Sequence, residues 1–153
     1  MTGREQDDDD DDGLVRQWAA VVRAVEIVQQ AAAVRLDKLS MSLPYFSVLT
    51  MLLEAEDRRL SMSTIARDLS MTSGGFTKLA DRMARDGLID RRGSAGDRRV
   101  VFAALTDAGL EQARHANAAY RAFLRDQVLH VVSAEDLAKL ATIAARLSEL
   151  HRD

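Results

Sequence analysis

The stretch Ser63-Thr64-Ile65-Ala66-Arg67-Asp68-Leu69-Ser70-Met71-Thr72-Ser73-Gly74-Gly75-Phe76-Thr77-Lys78-Leu79-Ala80-Asp81-Arg82-Met83-Ala84-Arg85-Asp86-Gly87 decides the fold. Ser63 reads as the cap of a short helix whose Ile65, Ala66 and Leu69 face inward. Ser70-Met71 is a turn. Thr72 or Ser73 caps a second helix that runs to Asp86, with Phe76, Leu79 and Met83 on its apolar side. Gly87 stands where a helix needs a left-handed C-terminal stop. Two helices of about 7 and 14 residues joined by so short a turn make a helix-turn-helix. Ala66 is small where the two helices must cross closely.

Downstream of Gly87 the period changes from helical to extended. Residues 88–92 and 98–105 are candidate strands, and Gly93-Ser94-Ala95-Gly96-Asp97 between them is rich in turn formers. A hairpin directly after the second helix of a helix-turn-helix is a wing, here expected to have two strands and a flexible tip. Thr106 then caps a long helix, with Asp107 suiting its positive end and Leu110, Ala113, Tyr120, Phe123 or Leu124, and Val128 down one side. Ser133 caps a last helix with the stripe Leu137, Leu140, Ile143, Leu147 and Leu150.

Upstream, Ser42-Leu43-Pro44 starts a helix, since proline fits the first turn and Ser42 can cap it. Its buried side holds Phe46, Leu49, Met51, Leu52 and Leu53, and Glu56-Asp57-Arg58-Arg59 reads as a polar loop. Before it, Leu14, Trp18, Val21, Val25, Val28, Ala32, Leu36 and Leu39 recur by threes and fours. A helix of about 25 residues spans nearly 40 Å, longer than a small domain needs, so it is expected to pack against a partner. The expected class is mainly α: a winged helix-turn-helix with a three-helix core, a two-stranded wing and long N- and C-terminal dimerisation helices. The expected division is an acidic, disordered tail over 1–12, an N-terminal dimerisation helix over 13–42, a winged helix-turn-helix over 43–105 and C-terminal dimerisation helices over 106–153.

The net charge of −3 conceals an internal contrast. Residues 1–12 carry seven acids and one arginine, and the rest of the chain holds 20 basic and 17 acidic residues. Residues 72–99 have seven basic side chains, Lys78, Arg82, Arg85, Arg91, Arg92, Arg98 and Arg99, against four acids. A basic stripe inside an acidic chain points to a polyanionic partner. The six aspartates 7–12 repel one another and offer nothing apolar to bury. A start of this kind is unlike a signal peptide, and no apolar run approaches a membrane span, so a cytoplasmic location is expected. There is no cysteine, which excludes disulfides, thiolate metal sites and thiol redox sensing.

The order helix, helix, helix-turn-helix, wing, long helix, helix resembles the MarR family of bacterial transcription regulators. Ser63-Thr64-Ile65-Ala66-Arg67-Asp68-Leu69 is similar to the family's first helix of the motif. The run from Thr77 through Arg85-Asp86-Gly87-Leu88-Ile89-Asp90-Arg91 resembles its recognition helix and exit. Asp97-Arg98-Arg99 and Leu105-Thr106-Asp107-Ala108-Gly109 resemble the wing's Asp-x-Arg and the Leu-Thr-x-x-Gly that opens the next helix. Thr72 departs from an acidic residue found in some members, and Gly93-Ser94-Ala95-Gly96 lacks the family's common proline. The resemblance implies a homodimer that binds a pseudo-palindromic double-stranded DNA operator, acting as a repressor released by a small aromatic or anionic effector.

Phosphate contacts give affinity and register, and base-edge contacts give sequence. The candidate DNA-binding residues are Thr72, Ser73, Gly74, Thr77, Lys78 and Arg82 on the recognition helix, and Arg98 and Arg99 on the wing. Lys78 and Arg82, one turn apart, reach the same side of a groove, while Arg98 and Arg99 suit a narrow minor groove. The resemblance makes Arg99 the minor-groove residue. Asp97 is expected to orient the tip, because a carboxylate facing phosphates repels. Gly74 and Gly75 either bring the backbone close to DNA or simply form the capping turn. Trp18, Tyr45, Phe46, Tyr120 and Phe123 are candidates to line an effector pocket, or are plain core.

No enzyme is expected. His115, His130 and His151 have no paired spacing, and Gly93-Ser94-Ala95-Gly96 lacks the Gly-Lys-Ser/Thr of a phosphate loop. Neither a metal nor a cofactor is called for. A helical protein-interaction adaptor that does not bind DNA is the alternative, and it predicts no salt-dependent DNA binding.

Overall fold

The computed structural model describes residues 4–93 and 100–150, with the side chains of 4–10 and 12 left aside. Helix α1 (Arg4–Asp37) is followed by α2 (Leu43–Glu54), strand β1 (Arg59–Ser61), α3 (Met62–Asp68), α4 (Ser73–Arg85), β2 (Ile89–Gly93), β3 (Val101–Leu105), α5 (Asp107–Phe123), a π-helical turn (Leu124–Val128) and α6 (Ala134–Glu149). The fold is the mainly helical winged helix-turn-helix expected from the sequence. Among the described residues no helix is long and apolar enough to cross a membrane.

The core gathers one face of each central element. Leu36 from α1, Val48, Leu49 and Leu52 from α2, Ile65 from α3, Phe76 and Met83 from α4 and Ile89 from β2 are all fully buried. Ala66 is buried where α3 meets α4, as its size requires. Helices α2 to α6 each start on a side-chain cap that satisfies a free amide. Ser42 accepts from Tyr45 N, Thr72 from Gly75 N, Thr106 from Gly109 N and Ser133 from Asp136 N. Helix α4 stops at Gly87, with φ +73°. There Gly87 N donates to Ala84 O (3.0 Å) and Leu88 N to Met83 O (2.9 Å), the paired bonds that close a helix when the next residue is left-handed.

Four sequence readings are corrected. The cap of α3 is Ser61, whose Oγ accepts from Thr64 N at 3.1 Å, so Ser63 falls inside the first turn. Arg59 is not loop: it opens β1, which pairs antiparallel with β3 as Arg59↔Ala104, Leu60↔Ala103 and Ser61↔Phe102. The wing hairpin β2–β3 is therefore part of a three-stranded sheet ordered β1-β3-β2. Helix α5 does not continue regularly to Val128, because a π-helical turn takes over at Leu124. Finally, α1 is helical from Arg4, so it extends over residues read as disordered.

Helices α1 and α6 carry what the core does not cover. Leu14, Val15, Trp18, Val21 and Val25 on α1, Leu140 and Ile143 on α6, and Leu150 just after it are exposed, and no residue of α6 is buried.

Candidate nucleic-acid interface

Helix α4 divides cleanly. Phe76, Leu79, Ala80 and Met83 are buried, and the opposite side shows Ser73, Gly74, Lys78, Arg82 and Arg85 to solvent. No acid lies in its first turn, so its positive end is open to an anion. Lys78 and Arg82 stand on one stripe at i,i+4 spacing, as expected. Arg85 continues the basic surface, and its Nε donates to Asp81 O at 3.3 Å. Its basic character was counted in the charge of the stretch, but its exposure next to Arg82 follows only from the helix geometry.

Two of the candidate hydroxyls are already engaged within the helix. Thr72 Oγ1 accepts from Gly75 N at 3.1 Å, and Thr77 Oγ1 donates to Ser73 O at 2.8 Å. The two glycines separate into different roles. A Cβ on Gly75 would lie 3.0 Å from Thr72 Oγ1, so this glycine serves the cap. A Cβ on Gly74 would meet nothing within 4 Å, so Gly74 leaves bare backbone on the open face.

Behind this face a cavity of about 270 Å³ lies between the N-terminal ends of α3 and α4 and the sheet, lined by Ser63, Ser73, Phe76, Thr77, Arg91 and Val101 among others. Arg91 projects from β2 and forms an ion pair through Nη1 with Asp81 Oδ1 of α4. Arg92 pairs with Asp90 at 2.8 Å. Asp97, Arg98 and Arg99 lie outside the described residues, as does the tip 94–96.

The far end of α4 is tied down. Tyr45 Oη of α2 donates to Asp86 Oδ2 at 2.7 Å. Burial, then the hydrogen bond and the negative charge of Asp86, push the Tyr45 phenol above its ordinary pKa, and Arg82 and Arg85 pull weakly the other way. Thr106 Oγ1 donates to Gly87 O at 2.6 Å, and Thr106 N donates to Leu88 O at 3.2 Å.

The candidate effector residues are only partly brought together. Phe46 and Tyr120 stack with centroids 4.6 Å apart, Tyr120 is 6.0 Å from Phe123, and Phe46 belongs to the core at 7% exposure. Tyr45 is committed to Asp86. Trp18 is 55% exposed and, at 1.5 Å per residue, sits roughly 27 Å along α1 from the buried Leu36.

These elements define a winged helix-turn-helix protein with a basic, solvent-facing second helix. Residues 39–100 match the sequence model of the MarR family. Over 64 residues it is 38% identical to the HTH-type transcriptional repressor YetL of Bacillus subtilis (strain 168), a match covering 42% of this chain and 38% of that protein. The chain spans less than half the length of either curated relative it matches. The crystal structure of AbsC, a MarR family transcriptional regulator from Streptomyces coelicolor, superposes with a TM-score of 0.82 at 24% identity, covering 99% of this chain and 97% of that one. Sco3205 from the same organism, a MarR family transcriptional regulator solved in complex with DNA, gives a TM-score of 0.78 at 25% identity, covering 86% and 83%.

Proposed function

We propose that this protein is a cytoplasmic transcriptional regulator, not an enzyme, which binds a pseudo-palindromic DNA operator as a homodimer and represses until a small effector releases it. The observation that carries the reading is the two-sided α4, apolar toward the core and basic toward solvent, with no acid at its positive end and bare backbone at Gly74. Lys78 and Arg82 contact phosphates, and Ser73, Gly74 and Thr77 approach base edges. Thr72 serves mainly as the cap. Arg98 and Arg99 take an adjacent minor groove, with Asp97 orienting the tip. Sco3205 was crystallised with DNA, which supports the DNA part of the reading.

The uncovered apolar stripes of α1 and α6 support two-fold pairing through both ends of the chain. Trp18 can meet an effector only where a second protomer covers α1, whereas Tyr45, Phe46 and Tyr120 border the interior of one protomer. The decisive experiment passes fragmented genomic DNA over the purified chain, sequences what is retained, and titrates a retained fragment at several salt concentrations. Paired half-sites about one turn apart, roughly 34 Å, are expected. Retention of no DNA at any salt would leave the adaptor reading instead.

A further inference from the structure

Helix α4 has a single acid, and it lies on the solvent-facing side. Asp81 follows Ser73 and Thr77 at four-residue spacing, and Lys78, Arg82 and Arg85 surround it in sequence. Its carboxylate is 48% exposed, and its partner, the Arg91 side chain of β2, is 35% exposed. Two ordinary explanations do not account for it. Asp81 sits in the second half of the helix, where the dipole disfavours an anion. Ion pairs this open to water add little stability. A carboxylate among the cations of a DNA-facing helix also works against phosphate binding.

We propose that Asp81 is a specificity-determining residue: it occupies Arg91 and lowers the affinity of α4 for DNA of arbitrary sequence, so that tight binding requires base-edge contacts. The inference rests on the proposed DNA-binding function. Arg91 lines the same cavity as Ser73 and Thr77, beside the open end of α4. Released from Asp81, it is one flexible side chain away from a phosphate on that face. Sequence-independent binding grows with each phosphate neutralised, whereas discrimination is the difference between two affinities. A penalty common to every sequence would cancel in that difference, so Asp81 sharpens discrimination by penalising most the complex held by phosphates alone and least the one in which base contacts seat α4.

The test compares four chains, the parent, Asp81→Asn, Arg91→Gln and the double variant, on a scrambled duplex and on a retained genomic fragment across a salt series. Asp81→Asn is expected to bind the scrambled duplex roughly fivefold to tenfold more tightly near 0.1 M salt, with a salt slope steeper by about one counterion. Its preference for the retained fragment falls. Arg91→Gln, which leaves Asp81 unpaired, binds both duplexes more weakly. The double variant, whose local charge equals the parent's, returns to the parent's slope. A pair that only braces the fold predicts something else: both single variants weaken binding, neither changes the slope, and the double variant rescues nothing. That pattern overturns the proposal, as does an Asp81→Asn chain with unchanged preference. Thermal melts of all four chains verify folding. A parent that binds neither duplex overturns the DNA-binding reading itself, a result distinct from a binding parent with unmoved variants.

Discussion

Gly109→Ala should damage this fold, although replacing a helical glycine by alanine ordinarily helps. Gly109 lies in the first turn of α5, and its N–H is held by Thr106 Oγ1 at 2.9 Å. A Cβ there would lie 1.8 Å from Leu88 O, 2.8 Å from Leu88 C and 3.3 Å from Leu88 Cα. The obstacle is backbone and cannot rotate away. Leu88 is also pinned, because its carbonyl accepts from Thr106 N and Thr106 Oγ1, each at 3.2 Å, and it precedes the buried Ile89. Alanine gains about 1 kcal/mol in helix propensity. Against that stand overpacking of about 1–3 kcal/mol and the two bonds Thr106 makes to this segment, from its N–H to Leu88 O and from its hydroxyl to Gly87 O, about 1 kcal/mol each. The net loss is about 2–4 kcal/mol by those magnitudes. For a chain of this size that lowers Tm by roughly 5–15 °C. Urea titration followed by far-UV circular dichroism, at fixed protomer concentration, measures it. A Gly109→Ala midpoint equal to or above the parent's would refute the reasoning, since it would mean that α5 and the exit of α4 do not meet as closely as described.

Gly74→Ala is the matched contrast: with open space around its Cβ it should raise stability by up to about 1 kcal/mol while perturbing DNA affinity, and a urea midpoint below the parent's would count against it. Lys78→Ala and Arg82→Ala should each weaken binding to all duplexes alike and reduce the salt slope by roughly one, read from titrations at several salt concentrations. Arg99→Ala should cost on the order of 1–3 kcal/mol, most of it on sites with A·T-rich flanks; equal binding to every duplex would remove the wing from recognition. For Tyr45, a folded pKa above the unfolded value means its contribution is complete below pH 10 and fades as pH rises through the folded value. The stability difference between the parent and Tyr45→Phe should therefore shrink in alkaline melts and stay constant from pH 6 to 9. Light scattering should give a dimer at micromolar concentration, and Ile143→Glu, on the exposed stripe of α6, should shift it toward monomer.

What the sequence displayed, and what it hid, follows from how local each signal is. Helix α4 was legible because its cap, its Phe76–Leu79–Met83 face and its stop at Gly87 all lie within one short run. Strand β1 was not, because three residues show no period and Arg59-Leu60-Ser61 becomes a strand only through β3, some forty residues away. Ser63 has the residue type of a cap, yet Ser61, two residues earlier, holds that place. Their hydroxyls sit 3.0 Å apart, and the spacing that decides between them is Ser61 to Thr64, whose hydroxyls are 2.7 Å apart and whose amide bonds back to Ser61. The π-helical turn adds a residue to a pattern that still reads as threes and fours, so periodicity cannot reveal it. In the interface, the composition showed that Arg91 is basic but not that it is paired. Its partner is ten residues away, across the reversal at Gly87.

The same locality explains why one short motif has so much to hold. Helix α4 can present a fixed face to a groove only if both its ends are fixed, since a misplaced recognition element loses contacts it cannot make elsewhere. Its first turn is capped by Thr72, a cap that costs about 1 kcal/mol to lose. Its last turn is held from three directions: by its own bonds at Gly87 and Leu88, by Tyr45 through Asp86, and by Thr106 through the carbonyls of Gly87 and Leu88. Thr106 is also the cap of α5, so a single side chain joins the end of the recognition helix to the start of the helix that leads to the C-terminal stripe. The C-terminal end of α4 is therefore the end joined to α5, and its N-terminal end, with Ser73 and Gly74 toward solvent, is the end left facing outward.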